Sequence, residues 1–396
     1  MKKYILYILI CFLPQCVMGQ KKAISQARDF VKSGSSLDNA EKLMTDLLKD
    51  STNRSNEKIW LTLFEAQQKQ YDQGNEKLYL KQKYDTASLF NLTKRMFATL
   101  EGLDSLDMKP DAKGRIKFKY RDHSAELLNQ YRPNLYFGGL YFIKKQNYLK
   151  AYDLFNTYID CSSHPLFAKY KYASRDKYLP QAAYWAVYCG YKLKDAKATL
   201  RHTYLALKDT AHANLMLQYL AETYKLENDS VRYIKTLWEG FDKYPTFPFF
   251  FPRLIDNYVQ QNEYDEALKI GDTALRSDSV NVLFRYAKSN VLLLLGKYSD
   301  CLDISKSLIA QNDSLADAYL NAGLSWFNQA VEMDKNLQLS QKKRSKILDC
   351  YRNAMPYLEK YRALAPDQKN KWALPLYTIY LNLNMGKQFD EIDKLL

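Results

Sequence analysis

Four histidines, His123, His164, His202 and His212, and six cysteines are the residues here best suited to metal binding or nucleophilic chemistry. None of the histidines stands in an HExxH arrangement, and His202 and His212 lie ten residues apart across an expected helix end, so their spacing builds no zinc site. Gly296-Lys297 follows the apolar run Leu292 to Leu295, but no phosphate-loop pattern precedes it, and it reads as a turn between two helices. Gly138-Gly139 likewise reads as a packing pair and not as a dinucleotide fingerprint. With no acid pair, histidine-based constellation or phosphate loop, the sequence predicts no catalytic residue, no metal ligand and no cofactor.

Two of the cysteines, Cys11 and Cys16, fall in a stretch with the marks of a leader. Lys2 and Lys3 precede an apolar run from Tyr4 to Leu13, and Val17-Met18-Gly19 places small or modest residues before a cut ahead of Gln20. The run is shorter than the ~20 apolar residues of a membrane span. Leu13-Pro14-Gln15-Cys16 resembles a lipobox, but Gln15 is a poor residue just before a lipidated cysteine, so the plain cut is the preferred expectation. The protein is therefore expected in the periplasm or associated with the outer membrane. Cys161, Cys189, Cys301 and Cys350 remain; Cys161 and Cys189 could meet between stacked repeats, but buried free thiols fit their spacing better.

The net charge is +14, or +12 without Lys2 and Lys3. Such a balance suits anionic partners, namely acidic proteins, lipid headgroups, anionic glycans or nucleic acid, and export argues against the last. Lysines spread over solvated helix faces are the plainer explanation. Seven hydroxyls, Thr86, Ser105, Thr210, Ser230, Thr273, Ser279 and Ser314, each follow an Asp and precede a small or branched apolar residue. This resembles an O-glycosylation acceptor motif of some Gram-negative envelopes, while the plainer reading is helix capping.

The elements that position all this are set by a period. Five segments begin at Pro180, Asn214, Pro248, Val282 and Ala316, each 34 residues after the last. Their eleventh positions read Gly190, Tyr224, Tyr258, Leu292 and Trp326, and their eighth Val187, Ala221, Ile255, Ser289 and Gly323. The twenty-seventh reads Ala206, Gly240, Ala274 and Leu308, each followed by a large apolar residue. Small residues let two helices approach, and the large neighbour fills the gap beside them. The fixed period and these columns resemble the tetratricopeptide repeat, TPR. The resemblance implies an all-α, right-handed α-solenoid of antiparallel helix pairs without catalytic function.

Beyond the leader at 1–19, residues 20–131 read as degenerate helical repeats and 132–396 as the TPR array, with insertions near 165–179 and 329–348. Helices are expected over Ile24 to Val31, Leu37 to Leu48, Ser55 to Lys69, Glu76 to Leu100 and Arg115 to Tyr131, with a loop from Asp107 to Gly114. Pro133 is expected to open a new helix, and the 165–179 insertion to be an exposed connection or short helix. In TPR arrays the first helix of each pair lines a concave groove. The resemblance places Tyr136, Lys144, Tyr184, Tyr188, Tyr191, Gln218, Glu222, Lys225, Asp256, Tyr286 and Asn290 on that surface. Tyr184, Tyr188 and Tyr191 share one helical stripe, which suits a peptide or helix from a protein partner, or a glycan. Packing against the next helix is the competing role for the same rings.

Overall fold

The computed structural model describes residues 19–111, 113–335 and 341–396. The expected leader, with Cys11 and Cys16, lies outside them apart from Gly19. Among the described residues the chain is helical throughout, with no strand. It divides into two compact units, one ending at Asn228 and the other running from Asp229 to Leu396.

The first unit opens with α1 (19–33) and α2 (Leu37–Lys49), followed by α3 (Glu57–Tyr79), α4 (Thr86–Asp107), α5 (Arg121–Lys144) and α6 (Tyr148–Asp160). A 3-10 turn over Pro165–Tyr170 and the one-turn α7 (Tyr172–Arg175) lead to α8 (Leu179–Leu193). Then come α9 (Ala196–Arg201), α10 (Thr203–Ala206) and α11 (Ala213–Leu226). The second unit holds α12 (Ser230–Lys243), α13 (Phe250–Gln260), α14 (Tyr264–Ser277), α15 (Val282–Leu294) and α16 (Tyr298–Gln311). It closes with α17 (Ala316–Asp334), α18 (Gln341–Leu364), α19 (Lys369–Asn382) and α20 (Gly386–Asp393). Within each unit, successive helices fold back on one another as antiparallel pairs of the TPR kind.

The 34-residue period is written into the backbone. Lys194, Asn228, Asn262 and Gly296, each 34 residues after the last, all take left-handed φ values between 56° and 71°. In three of these turns the next residue's amide reaches back to an eleventh-column carbonyl: Asp195 to Gly190 at 3.0 Å, Glu263 to Tyr258 at 2.9 Å and Lys297 to Leu292 at 2.9 Å. This six-to-one closure ends one helix and reverses the chain in three residues. Asp195 then accepts from the Ala198 amide at 2.9 Å and starts α9, as Asp229 does for Arg232 at 2.9 Å at α12. Asp85 and Asp209 cap in the same way, whereas the Thr273 hydroxyl bonds inside α14 to the Lys269 carbonyl.

The small-residue columns are where helices touch. A Cβ on Gly139 would lie 2.5 Å from the Phe155 ring, on Gly240 2.3 Å from Phe250, and on Gly323 2.7 Å from Leu358. The first unit's cores gather Ile24, Met44 and Leu63 at one end and Phe97, Phe155, Phe167 and Tyr184 further along. In the second, Tyr351, Leu358, Trp372 and Leu376 form the main cluster. All four cysteines from Cys161 onward are buried free thiols.

Four local expectations change. The helix placed at Glu76 begins at Thr86, because α3 runs on to Tyr79; Gly74 leaves room for the Tyr84 ring, and Asp85 supplies the cap. The helix placed at Arg115 begins at Arg121, where the Asp107 carboxylate accepts the amides of Tyr120 and Arg121 at 2.6 and 3.0 Å. Pro133 lies inside α5 instead of opening a helix. The 165–179 insertion does hold short helix, at Pro165–Tyr170 and Tyr172–Arg175, but it is a packed plug and not an exposed connection: Leu166, Phe167 and Tyr172 are buried. Near the insertion expected at 329–348, α17 has 19 residues and α18 has 24, and residues 336–340 of that insertion lie outside the described residues.

Candidate functional site

The expected groove residues are sorted by depth. Tyr184 is 3% exposed, stacked on His212 at 4.3 Å between ring centres, and its ring belongs to the core. Tyr136 is also buried, edge-on to Phe155, with its hydroxyl donating to Gln181 at 2.6 Å. Tyr188 and Tyr191 are half-buried one turn further along α8, and Lys144 is exposed in the last turn of α5. In the second unit Asp256 is exposed on α13, while Tyr286 and Asn290 are half-buried on α15. Burial, with Asp317 nearby, pushes the Tyr286 hydroxyl up to about 12.

Within the first unit, three of these residues do come together. Tyr191 stacks on Tyr219 at 4.6 Å, and its hydroxyl donates to the Glu222 carboxylate. The other Glu222 oxygen accepts from Gln218 at 3.4 Å. Tyr191 and Glu222 line a cavity of about 350 Å³ between the end of α8, the start of α9 and α11. Lys192, Lys194, Thr199 and Leu226 are also in its wall, and Lys225 is exposed on the adjoining turn of α11. Burial and the neighbouring Tyr148 push the Tyr188 hydroxyl up to about 12, so it stays protonated at neutral pH. The Lys192 ammonium lies 5.5 and 5.8 Å from the ring centres of Tyr188 and Tyr191.

The site thus offers an apolar side wall from Leu226, two lysines at the rim and one hydrogen-bonded carboxylate. It can hold an extended segment by apolar contact and charge. Sequence reasoning missed Lys192 and Leu226, although each lies one turn beyond an expected residue, four after Tyr188 and four after Glu222. It also missed a second cavity of about 210 Å³ where α5 meets the 165–179 plug, lined by Arg132, Tyr136, Phe137, Tyr158 and Tyr178.

One acidic group outside these cavities carries a pH prediction. Burial, aided by Asp160 and Asp104, pushes the Glu101 carboxyl up from its ordinary 4.5 to about 7. An acid held above its unfolded value binds its proton more tightly in the folded chain. Its cost to stability is absent below pH 4.5, grows through that window and is complete above 7. Glu101→Gln is expected to stabilise the protein by about 1–3 kcal/mol at pH 8 and to leave it unchanged at pH 4. Urea unfolding at both pH values checks this; an equal effect at the two would mean the carboxyl is not strained.

No family model and no curated protein matches the chain. Among solved structures it is similar to the C-terminal part of a TPR repeat-containing protein from Cytophaga hutchinsonii, at 13% identity and a TM-score of 0.44, over 65% of this chain and 92% of that one. It is also similar to the P58(IPK) TPR domain (9% identity, 89% of this chain and 99% of that one, TM-score 0.27). A third similar structure is yeast Tom70 (12% identity, 88% of this chain and 89% of that one, TM-score 0.31).

Proposed function

We propose that the chain is a non-catalytic scaffold of the bacterial cell envelope that holds a segment of another protein against the α8–α11 face. The observation that carries the reading is the cavity of about 350 Å³ in which Tyr191 and Glu222 meet Lys192, Lys194 and Leu226. Stiff rings, a half-exposed leucine and charges of both signs on rigid helices make a surface that needs little reordering to bind. The envelope location is part of the proposal and rests on Lys2, Lys3, the apolar run to Leu13 and the Val17-Met18-Gly19 cut. A glycan suits this site less well: a sugar ring wants an open aromatic face, and Tyr191 is covered by Tyr219 and Tyr184 by His212.

A photo-crosslinking residue in place of Leu226, which is 53% exposed and has no core role, tests the reading in the native host. One dominant protein adduct, lost on adding Lys192→Glu, is the expected result. No protein adduct from a correctly folded, exported chain would overturn it.

A further inference from the structure

The connection between α4 and α5 stands apart from the others. It takes thirteen residues, Met108 to Tyr120, where α5 to α6, α11 to α12, α13 to α14 and α15 to α16 each turn in three. Connections of this length without internal helix or strand are uncommon in compact repeats unless they do something. Its C-terminal end is fixed. Arg121 makes a two-pronged contact with the buried Asp104 at 2.7 and 2.9 Å, and the Tyr120 hydroxyl and the Lys119 ammonium meet Glu57 at 2.8 and 2.9 Å.

Leading into those anchors the sequence alternates cation and apolar residue: Arg115, Ile116, Lys117, Phe118, Lys119, Tyr120, Arg121. Ile116 and Phe118 are each 51% exposed, a cost in water that nothing in the fold requires. The backbone amides and carbonyls of Ile116, Lys117 and Phe118 take no hydrogen bond among the described residues. Lys109, Lys113 and Lys117 make no ion pair among them either, while the nearby acids are occupied: Glu57 by Lys119, Asp111 by Arg115 and Asp107 by two backbone amides. Beside the segment lies a cleft of about 490 Å³ that Lys109, Lys117 and Phe118 help to line.

We propose that residues 113–121, with Lys109, form a docking site for an acidic, extended peptide segment of a protein partner. The peptide backbone pairs with the open amides and carbonyls of 116–118, as an added strand does at a sheet edge. Its carboxylates answer Lys109, Lys113 and Lys117, and its alternate apolar side chains cover Ile116 and Phe118. An anionic bilayer answers the lysines too, but it is flat and offers no partner for the backbone. The Phe118 ring is also held 3.8 Å beneath the Arg121 guanidinium instead of standing free to insert. The proposal rests on the interaction reading above and places a second contact at the α4–α5 connection.

Fluorescence anisotropy with a labelled peptide of alternating glutamate and valine, titrated with the full chain, tests it. The expected result is saturable binding that weakens with salt and falls at least about tenfold in the Lys109→Gln, Lys113→Gln, Lys117→Gln triple variant. A lysine–valine peptide serves as the control and should not bind. Equal affinity in the triple variant, or no binding of the acidic peptide, would overturn the proposal. So would binding to phosphatidylglycerol vesicles, lost in the same variant, with the peptide unbound. Crosslinked adducts at position 226 that persist in the triple variant would leave the broader scaffold reading standing on its own.

Discussion

Arg132→Met should cost about 3–5 kcal/mol of folding stability, because it strands a buried carboxylate. The Arg132 guanidinium lies between the rings of Tyr158 and Tyr172, 3.7 and 3.8 Å from their centres. One nitrogen meets Asp176 at 2.7 Å, with the two side chains only 6% and 9% exposed, and another donates to the Tyr158 carbonyl at 3.1 Å. Asp176 also accepts from the Tyr158 hydroxyl at 2.7 Å. Tyr172 and Asp176 both come from the 165–179 plug, so this one side chain ties the plug to α5. Methionine fills much of the same volume and keeps the ring contacts, but leaves Asp176 with only two neutral donors, the Tyr158 hydroxyl and the Tyr178 amide, in place of a cation. Asp176→Asn on that background removes the stranded charge and should restore more than half of the loss. Guanidinium unfolding of the two single variants and the double closes the cycle. If Arg132→Met alone unfolds at the parent midpoint, the pair contributes nothing net and the plug is held by its rings.

That pair also shows what could be read from the chain beforehand and what could not. The period of 34 could, because helix turns and close contacts demand particular residue sizes at particular places. The left-handed turn residues at 194, 228, 262 and 296, and the glycines at 190, 240 and 323, all fall in register. Hydropathy, however, scores Arg132 as a surface residue, and its partner is 44 positions away, so nothing local marks it as buried. Pro133 misled for a related reason. Proline is favoured in the first turn of a helix and costly in its interior, where it removes an amide donor and crowds the carbonyl four residues back, yet α5 runs straight through Pro133. The tyrosine stripe on α8 was legible as a stripe, but spacing gives the direction of a side chain and not what lies opposite. His212 closes over Tyr184, while the face next to Tyr191 stays open as a cavity. Residues 115–120 hold no Gly or Pro, so nothing local keeps them out of the helix, and it is the Asp107 carboxylate, holding the amides of Tyr120 and Arg121, that starts α5 six residues later.

Two glycines that look alike in sequence should respond to alanine with opposite signs. Gly190 on α8 and Gly271 on α14 both sit inside helices, where alanine is ordinarily the better residue by about 0.5–1 kcal/mol. At Gly271 a Cβ would meet nothing closer than the Lys288 side chain at 3.5 Å, an ordinary contact, so Gly271→Ala should gain that full amount. At Gly190 it would fall 2.4 Å from the Thr199 amide nitrogen and 2.8 Å from the Ala198 carbonyl carbon. These are backbone atoms in the first turn of α9, pinned by the Asp195 cap, and no side-chain rotation relieves them. Helices α8 and α9 must move apart, which should cost about 2–4 kcal/mol after the propensity gain. The same movement would widen the cavity beside Tyr191 and Thr199, so Gly190→Ala should also weaken crosslinking at position 226. Scanning calorimetry of both variants reads the signs directly. If both variants melt above the parent, α8 and α9 lie further apart than these distances allow, and the cavity that carries the scaffold reading would lose its shape.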